Sequence, residues 1–376
     1  MSQDAGPEAR PLPPAAYGAV IGGATALLVL WGLALGGALG RDATQYAGDA
    51  APGLLALAAV GWLPPPAPLA RAVAVVILYL LGLGLAAVTL GLATTAVGGG
   101  DGADPAAAAA IAPLTLGLLV LLLAPALLLR EPVRRALARW LPLQPDVFRH
   151  WVGLVVLLWF TAMPLALLPF LGGQPPLSAV VERLSEDELA YSPWADVVGL
   201  LWMVVLGLVA VGFPLARRGG AALARLGVAW PGWRRAAQGA GLSLLLVVLV
   251  LAVVAPLTDA ALSALGVPPT SGTYFEKLIG PVDVGGAVLR AVKAGVGEEL
   301  VWRGLVQPRY GLVPAALGFA AMHGFQYGPG GLVVVLVVGL CLGLVRRWSN
   351  TTTAAIVHGG YDFWLFLTLA LAPLLP

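Results

Sequence analysis

The chain has a single cysteine, Cys341, in 376 residues. A lone thiol excludes an intrachain disulfide and any metal site built on a cysteine cluster. Charge is scarce too. Asp, Glu, Lys and Arg make up 11% of the chain, where a soluble domain carries about a quarter. The formal net charge of +2 is too small to call for nucleic acid, and no nucleic-acid partner is expected. The apolar runs also lack the alternation of apolar and polar residues that a membrane barrel strand needs.

What is abundant is hydrocarbon. Hydrophobic residues are 59% of the chain and the mean hydropathy is +0.91. Long apolar runs without alternation predict helices, which satisfy their own backbone hydrogen bonds in lipid. The expectation is an all-α, polytopic helical bundle with about nine or ten transmembrane helices. Residues 1–16 are polar and proline-rich and lack the basic start of a secretory signal, so they read as a disordered tail. Residues 17–190 read as an amino-terminal bundle of unassigned role, 191–284 as helices leading onward, and 285–376 as the core in which buried polar groups gather. The run Pro52–Leu63 is too short to cross alone and ends at three prolines. Val313–His323 and Leu332–Val345 read as spans.

Basic residues set the expected orientation. Arginines cluster in Arg130–His150, in Arg217–Gln238 and at Arg346-Arg347, while Gly172–Asp196 is acidic. Alternating the spans puts the basic clusters on one side, expected to be cytoplasmic. His150, and the tryptophans Trp140, Trp151, Trp230 and Trp233, read as residues of the membrane interface.

Against this background Gly295–Gly304 is anomalous. It places Glu298, Glu299 and Arg303 in an apolar run, where a charged side chain costs about 2.5–3.5 kcal/mol on insertion scales. Glu299 and Arg303 are four apart and share a helix face, which leaves Glu298 about 100° around the helix and free for chemistry. Two of the three histidines, His323 and His358, also fall in apolar runs. Counted from the basic side, Glu298, His323 and His358 lie at similar depths of about 14, 15 and 9 Å at helical rise. A glutamate beside an imidazole can hold a water and take its proton. His358 and Asp362 are again four apart, and such a pair can orient a substrate or meet a developing oxyanion.

Glu298-Glu299-x-x-x-Arg303, Phe319-x-x-x-His323 and His358-x-x-x-Asp362 resemble, in order and spacing, the three motifs of the CPBP intramembrane proteases. That family includes the type II CAAX prenyl endopeptidases and the bacterial Abi-type proteins. The resemblance covers about Ala291–Phe366, with Gly304 and Gly339-x-x-x-Gly343 adding to it. It implies a protease acting on polypeptide in or at the bilayer of the cell membrane, and the depths counted from the basic side put its site toward the cytoplasm. It implies that Glu298 and His323 activate the attacking water and that His358 and the residue at 362 stabilise the oxyanion. Glu299, Arg303 and Phe319 would support them. The family's last motif often ends in asparagine; Asp362 donates a hydrogen bond only when protonated. A glutamate mechanism needs no cofactor. The family has also been called metalloprotease, in which case Glu298, His323 and His358 are the candidate zinc ligands.

Other intramembrane protease chemistries fit less well. His323 and His358 are each followed by glycine, not by the glutamate of H-E-x-x-H. No G-x-S-G-like nucleophile lies in a span. Tyr361-Asp362 and Gly98-x-Gly100-Asp101 occur in the reverse of the aspartyl order. Two readings outside hydrolysis stay open: a membrane scaffold or bacteriocin-immunity-type protein that keeps the polar network, and a transporter using Glu298 as a proton carrier.

Overall fold

The computed structural model describes residues 14–35, 51–62, 68–97, 105–170, 178–181, 192–267 and 283–371. Residues 1–13 of the expected tail and most of the acidic Gly172–Asp196 segment lie outside them, while residues 14–16, expected as tail, begin the helix Pro14–Leu35. Every regular element among the described residues is a helix.

Seven described helices are long and apolar enough to cross a bilayer, including Arg71–Gly91, Phe148–Leu167, Pro193–Ala210, Trp233–Ala264 and Pro329–Trp348. The expected nine or ten is therefore not reached by length and composition. One reason is that Leu312–Met322, expected as a span, is an 11-residue helix. At 1.5 Å per residue it covers about 16 Å, half of a bilayer core. It then tightens into a 3₁₀ turn, His323–Phe325, so the chain turns back partway. Ala51–Gly61 is likewise only 11 residues. It is buried through Ala56, Leu57 and Val60 and packs against Pro14–Leu35 and Pro193–Ala210.

Local sequence explains several helix starts. Pro193 and Pro329 stand in the first turns of their helices, where a missing N–H costs nothing. Asp283 caps Val284–Val292 by accepting the Gly286 N–H at 2.7 Å. Beyond Val292 the same chain widens into two π-helical segments, Lys293–Glu298 and Leu300–Val306, on either side of Glu299. Such segments are rare and recur at functional sites.

Two of the residues expected at the membrane interface are buried against other helices. Trp151 is fully buried and donates its indole N–H to the Gln144 carbonyl at 2.9 Å. His150 is 5% exposed, and its carbonyl accepts the Tyr310 hydroxyl at 2.8 Å. Both belong to the start of the helix Phe148–Phe170, which packs against four other helices and the His323–Phe325 turn. Trp140, Trp230 and Trp233 are exposed.

The basic segments do converge. Asn350 donates to the Ala229 carbonyl, Arg235 donates to the Trp348 carbonyl, and Arg149 and Arg217 both lie over the Trp62 ring. One end of the molecule is therefore the basic end.

Candidate active site

Small residues create the site by allowing backbones to touch. A Cβ on Gly295 would meet the Ala355 carbonyl and the Gly359 nitrogen, each at 2.7 Å, so a side chain there would collide with main chain. Gly359 faces back onto the Ala291 carbonyl. This contact seats Lys293–Glu298 directly on the helix Thr351–Leu371. Glu299 stands four residues after one glycine and His358 one residue before the other. On a second side, Gly339 admits the Phe319 ring, and Gly343 lies against Leu312 and Gln307, whose amide donates to the Gly343 carbonyl at 2.8 Å.

The side chains form two groups. In the first, Glu298 and His323 face each other, with Oε2 and Nε2 3.8 Å apart and each side chain about one-fifth exposed. The His323 Nδ1 lies 2.8 Å from the Phe319 carbonyl. A carbonyl only accepts, so Nδ1 carries the proton and Nε2 turns its lone pair toward Glu298. Both atoms are acceptors, so a proton or a hydrogen-bond donor brought to them would be bound favourably. The Glu298 Oε2 has no protein donor within hydrogen-bond reach among the described residues.

The second group is sealed. Glu299 is fully buried, and its Oε1 accepts from the His358 Nδ1 at 3.0 Å. Its Oε2 lies 3.2 Å from the Arg303 Nε, close enough for charge pairing but off the line of a hydrogen bond. Arg303 also donates to the Gly339 carbonyl at 3.3 Å. The His358 Nε2 lies 3.6 Å from the Asp362 Oδ2. Phe319, 1% exposed, separates and locates the groups. Its ring centroid is 4.7 Å from that of His323 and 5.8 Å from that of His358, with the Arg303 guanidinium 4.6 Å over it.

All seven residues singled out by the sequence thus come together. The spacing alone gives Glu299–Arg303 and His358–Asp362. It does not give the Glu299–His358 bond, which links positions 59 apart in sequence. Also missed were Gln307 and the pair Asp196–Lys293, closed at 2.8 Å and flanked by Arg290 at 3.4 Å. Asp196 read only as part of an acidic loop, yet it is 6% exposed. A lysine five residues before Glu298 in an apolar run was the available signal.

The donors do not converge as a zinc site would require. Both ring nitrogens of His358 face carboxylates, so it offers no free ligand atom, while His323 keeps its Nε2 toward Glu298. Among the described residues no group of three His, Cys, Asp or Glu is arranged to hold a metal.

Glu298 and His323 open into a cavity of about 570 Å³. Its wall is mostly apolar, with Leu57, Val156, Phe160 and Leu206 among its residues. The cavity reaches Arg149, Arg217, Arg225 and Arg309 at the basic end.

Comparison with known families agrees with the motif reading. Residues 281–364 match the model described as Rce1-like, type II CAAX prenyl endopeptidase Rce1-like. No curated protein and no solved structure matches the chain.

Proposed function

We propose that this chain is an intramembrane endopeptidase that hydrolyses a peptide bond of membrane-associated polypeptide with a water activated by Glu298 and His323. One observation carries the reading. Glu298, the one carboxylate in the lining of the open cavity, faces the His323 imidazole there, while the neighbouring Glu299–His358–Arg303 network is closed to it. The family match over 281–364 supports the protease class at a coarser level.

In the proposed reaction the water donates one hydrogen to Glu298 and the other to His323. Its oxygen attacks the peptide carbonyl carbon as Glu298 takes a proton. The carbonyl π electrons move onto oxygen; the motif resemblance gives His358 and Asp362 the oxyanion role, which requires that edge to open toward the cavity when substrate binds. Collapse of the intermediate breaks the C–N bond, and Glu298 returns its proton to the leaving amine. No step needs a metal. The basic end, and with it the cavity mouth, faces the cytoplasm under the positive-inside rule.

The test is cleavage of membrane-tethered reporter peptides by purified protein, with Glu298→Gln as the comparison. The swap keeps size and removes the base, and the expected loss in kcat is about 10²–10⁴-fold with an unchanged thermal midpoint. Equal cleavage by the two proteins would overturn the mechanism. Proton-coupled uptake in liposomes without cleavage would favour the transporter reading instead.

A further inference from the structure

The helix Pro193–Ala210 supplies part of the cavity wall, yet of its residues only Asp196 and Gly207 are buried. Its hold on the segment that carries Glu298 therefore depends on particular contacts. They form a seam with one rung per helical turn. A Cβ on Gly199 would lie 3.1 Å from the Lys293 Cε, one on Gly297 2.6 Å from the Met203 Sδ, and one on Gly207 3.7 Å from the Leu300 Cβ. Positions 199, 203 and 207 share one helical face. They meet 293, 297 and 300 in the same order, so the two segments run side by side in one direction. Glu298 follows Gly297 directly. At one end the seam is tied by charge. Lys293 passes along Gly199, where no side chain blocks it, and its ammonium reaches the Asp196 carboxylate at 2.8 Å. Asp196 is 6% exposed, and the Arg290 Nε lies 3.4 Å from its other oxygen. A charge buried within a span is costly unless it is paired, so Asp196 fixes where the head of Lys293 stands.

Lys293 and Glu298 also face the same space. Residues five apart on an α-helix point about 140° apart. The segment Lys293–Glu298 is π-helical, with backbone hydrogen bonds between residues five apart, and both of its ends line the cavity. A shift at Lys293 is thus carried through one turn to Glu298, whose Oε2 stands 3.8 Å from the His323 Nε2. We propose that Lys293, anchored on Asp196, is a positioning residue that sets the π-helical segment against the helix Pro193–Ala210 so that Glu298 faces His323. The inference rests on the peptidase reading. It adds to that reading a residue, Asp196, from outside the matched segment 281–364.

Steady-state cleavage of the membrane-tethered reporter, amide hydrogen exchange and thermal midpoints of the full chain in detergent test this together. Lys293→Met keeps the stem and removes the ammonium. It should lower kcat about 10²-fold and leave KM within about twofold, as a misplaced base does. Lys293→Arg should keep most of kcat. Asp196→Asn/Lys293→Met removes both charges while keeping an acceptor for Arg290, and its thermal midpoint should return toward that of the wild type. Its kcat should nevertheless stay low, and amides of residues 293–306 should exchange about tenfold faster than in the wild type. Amides of the helix Pro329–Trp348 should not change. Arg135→Gln, which opens an exposed pair, should alter none of these readouts. A kcat that returns with the midpoint in the double variant would show a tether that only packs helices, and would overturn the proposal. A raised KM at unchanged kcat would place Lys293 on the substrate and overturn it too, as would unchanged exchange at 293–306. Equal cleavage by wild type and Glu298→Gln would instead sink the peptidase reading, and the exchange measurement would still decide whether the tether holds the segment.

Discussion

Adjacent glutamates in this chain have opposite surroundings. Glu298 is partly open beside His323, whereas Glu299 is sealed between Arg303 and His358. Their substitutions should separate accordingly. Glu298→Gln should leave stability alone and remove cleavage. Glu299→Leu leaves Arg303 buried without its partner, and breaking such a pair costs about 3–5 kcal/mol. Adding Arg303→Met should restore much of that stability, because an apolar pair of similar volume needs no desolvation offset. Cleavage should not return in the double variant, since His358 has lost the acceptor that fixes its Nδ1. Thermal midpoints beside kcat measure the two effects. A return of activity with stability would mean that Glu299 only holds the helix in place. This part of the site was half legible. Helical periodicity fixes what lies four residues away, so two pairs could be read directly. It says nothing about residues 59 apart, and the Glu299–His358 bond had to come from packing.

At the scale of elements, that packing rests on the contact of Gly295 with the helix Thr351–Leu371. Gly295→Ala places a methyl 2.7 Å from main-chain atoms that have no flexible end to yield. The expected overpacking cost is about 1–3 kcal/mol, and the helices must part, drawing Glu299 from His358. Cleavage should fall together with the thermal midpoint. Gly241→Ala, on a helix surface with nothing within 4 Å, is the control and should be neutral or slightly stabilising. Equal behaviour of the two variants would contradict the close approach. The elements also show where a rule of span length fails. It took an 11-residue helix for a crossing, although His323 is useful because that helix ends partway. The segment that bears Glu298 and Glu299 widens into π turns, which side-chain periodicity does not announce.

For the molecule as a whole, the class was plain from composition, because so little charge leaves no alternative to lipid. The charged mouth of the cavity was not. Arg149, Arg217, Arg225 and Arg309 come from three separate stretches of the chain, and in the sequence three of them fall within basic loops that only mark sidedness. The donor arrangement at the site sets a further expectation. If Glu298 is the base of the proposed metal-free reaction, millimolar chelator should leave cleavage within about twofold. Loss of activity that zinc restores would reverse this.

The cavity has a divided parentage. The proposed chemistry draws on residues between positions 298 and 362, while much of the facing wall is drawn from helices between Leu54 and Arg225. Drift in those helices can therefore redraw what is admitted without disturbing how a bond is cut. Descendants of such a chain would be expected to keep the same motifs and differ in diet. A chimaera carrying a foreign amino-terminal half should inherit the selectivity of its donor and the catalytic residues of its host.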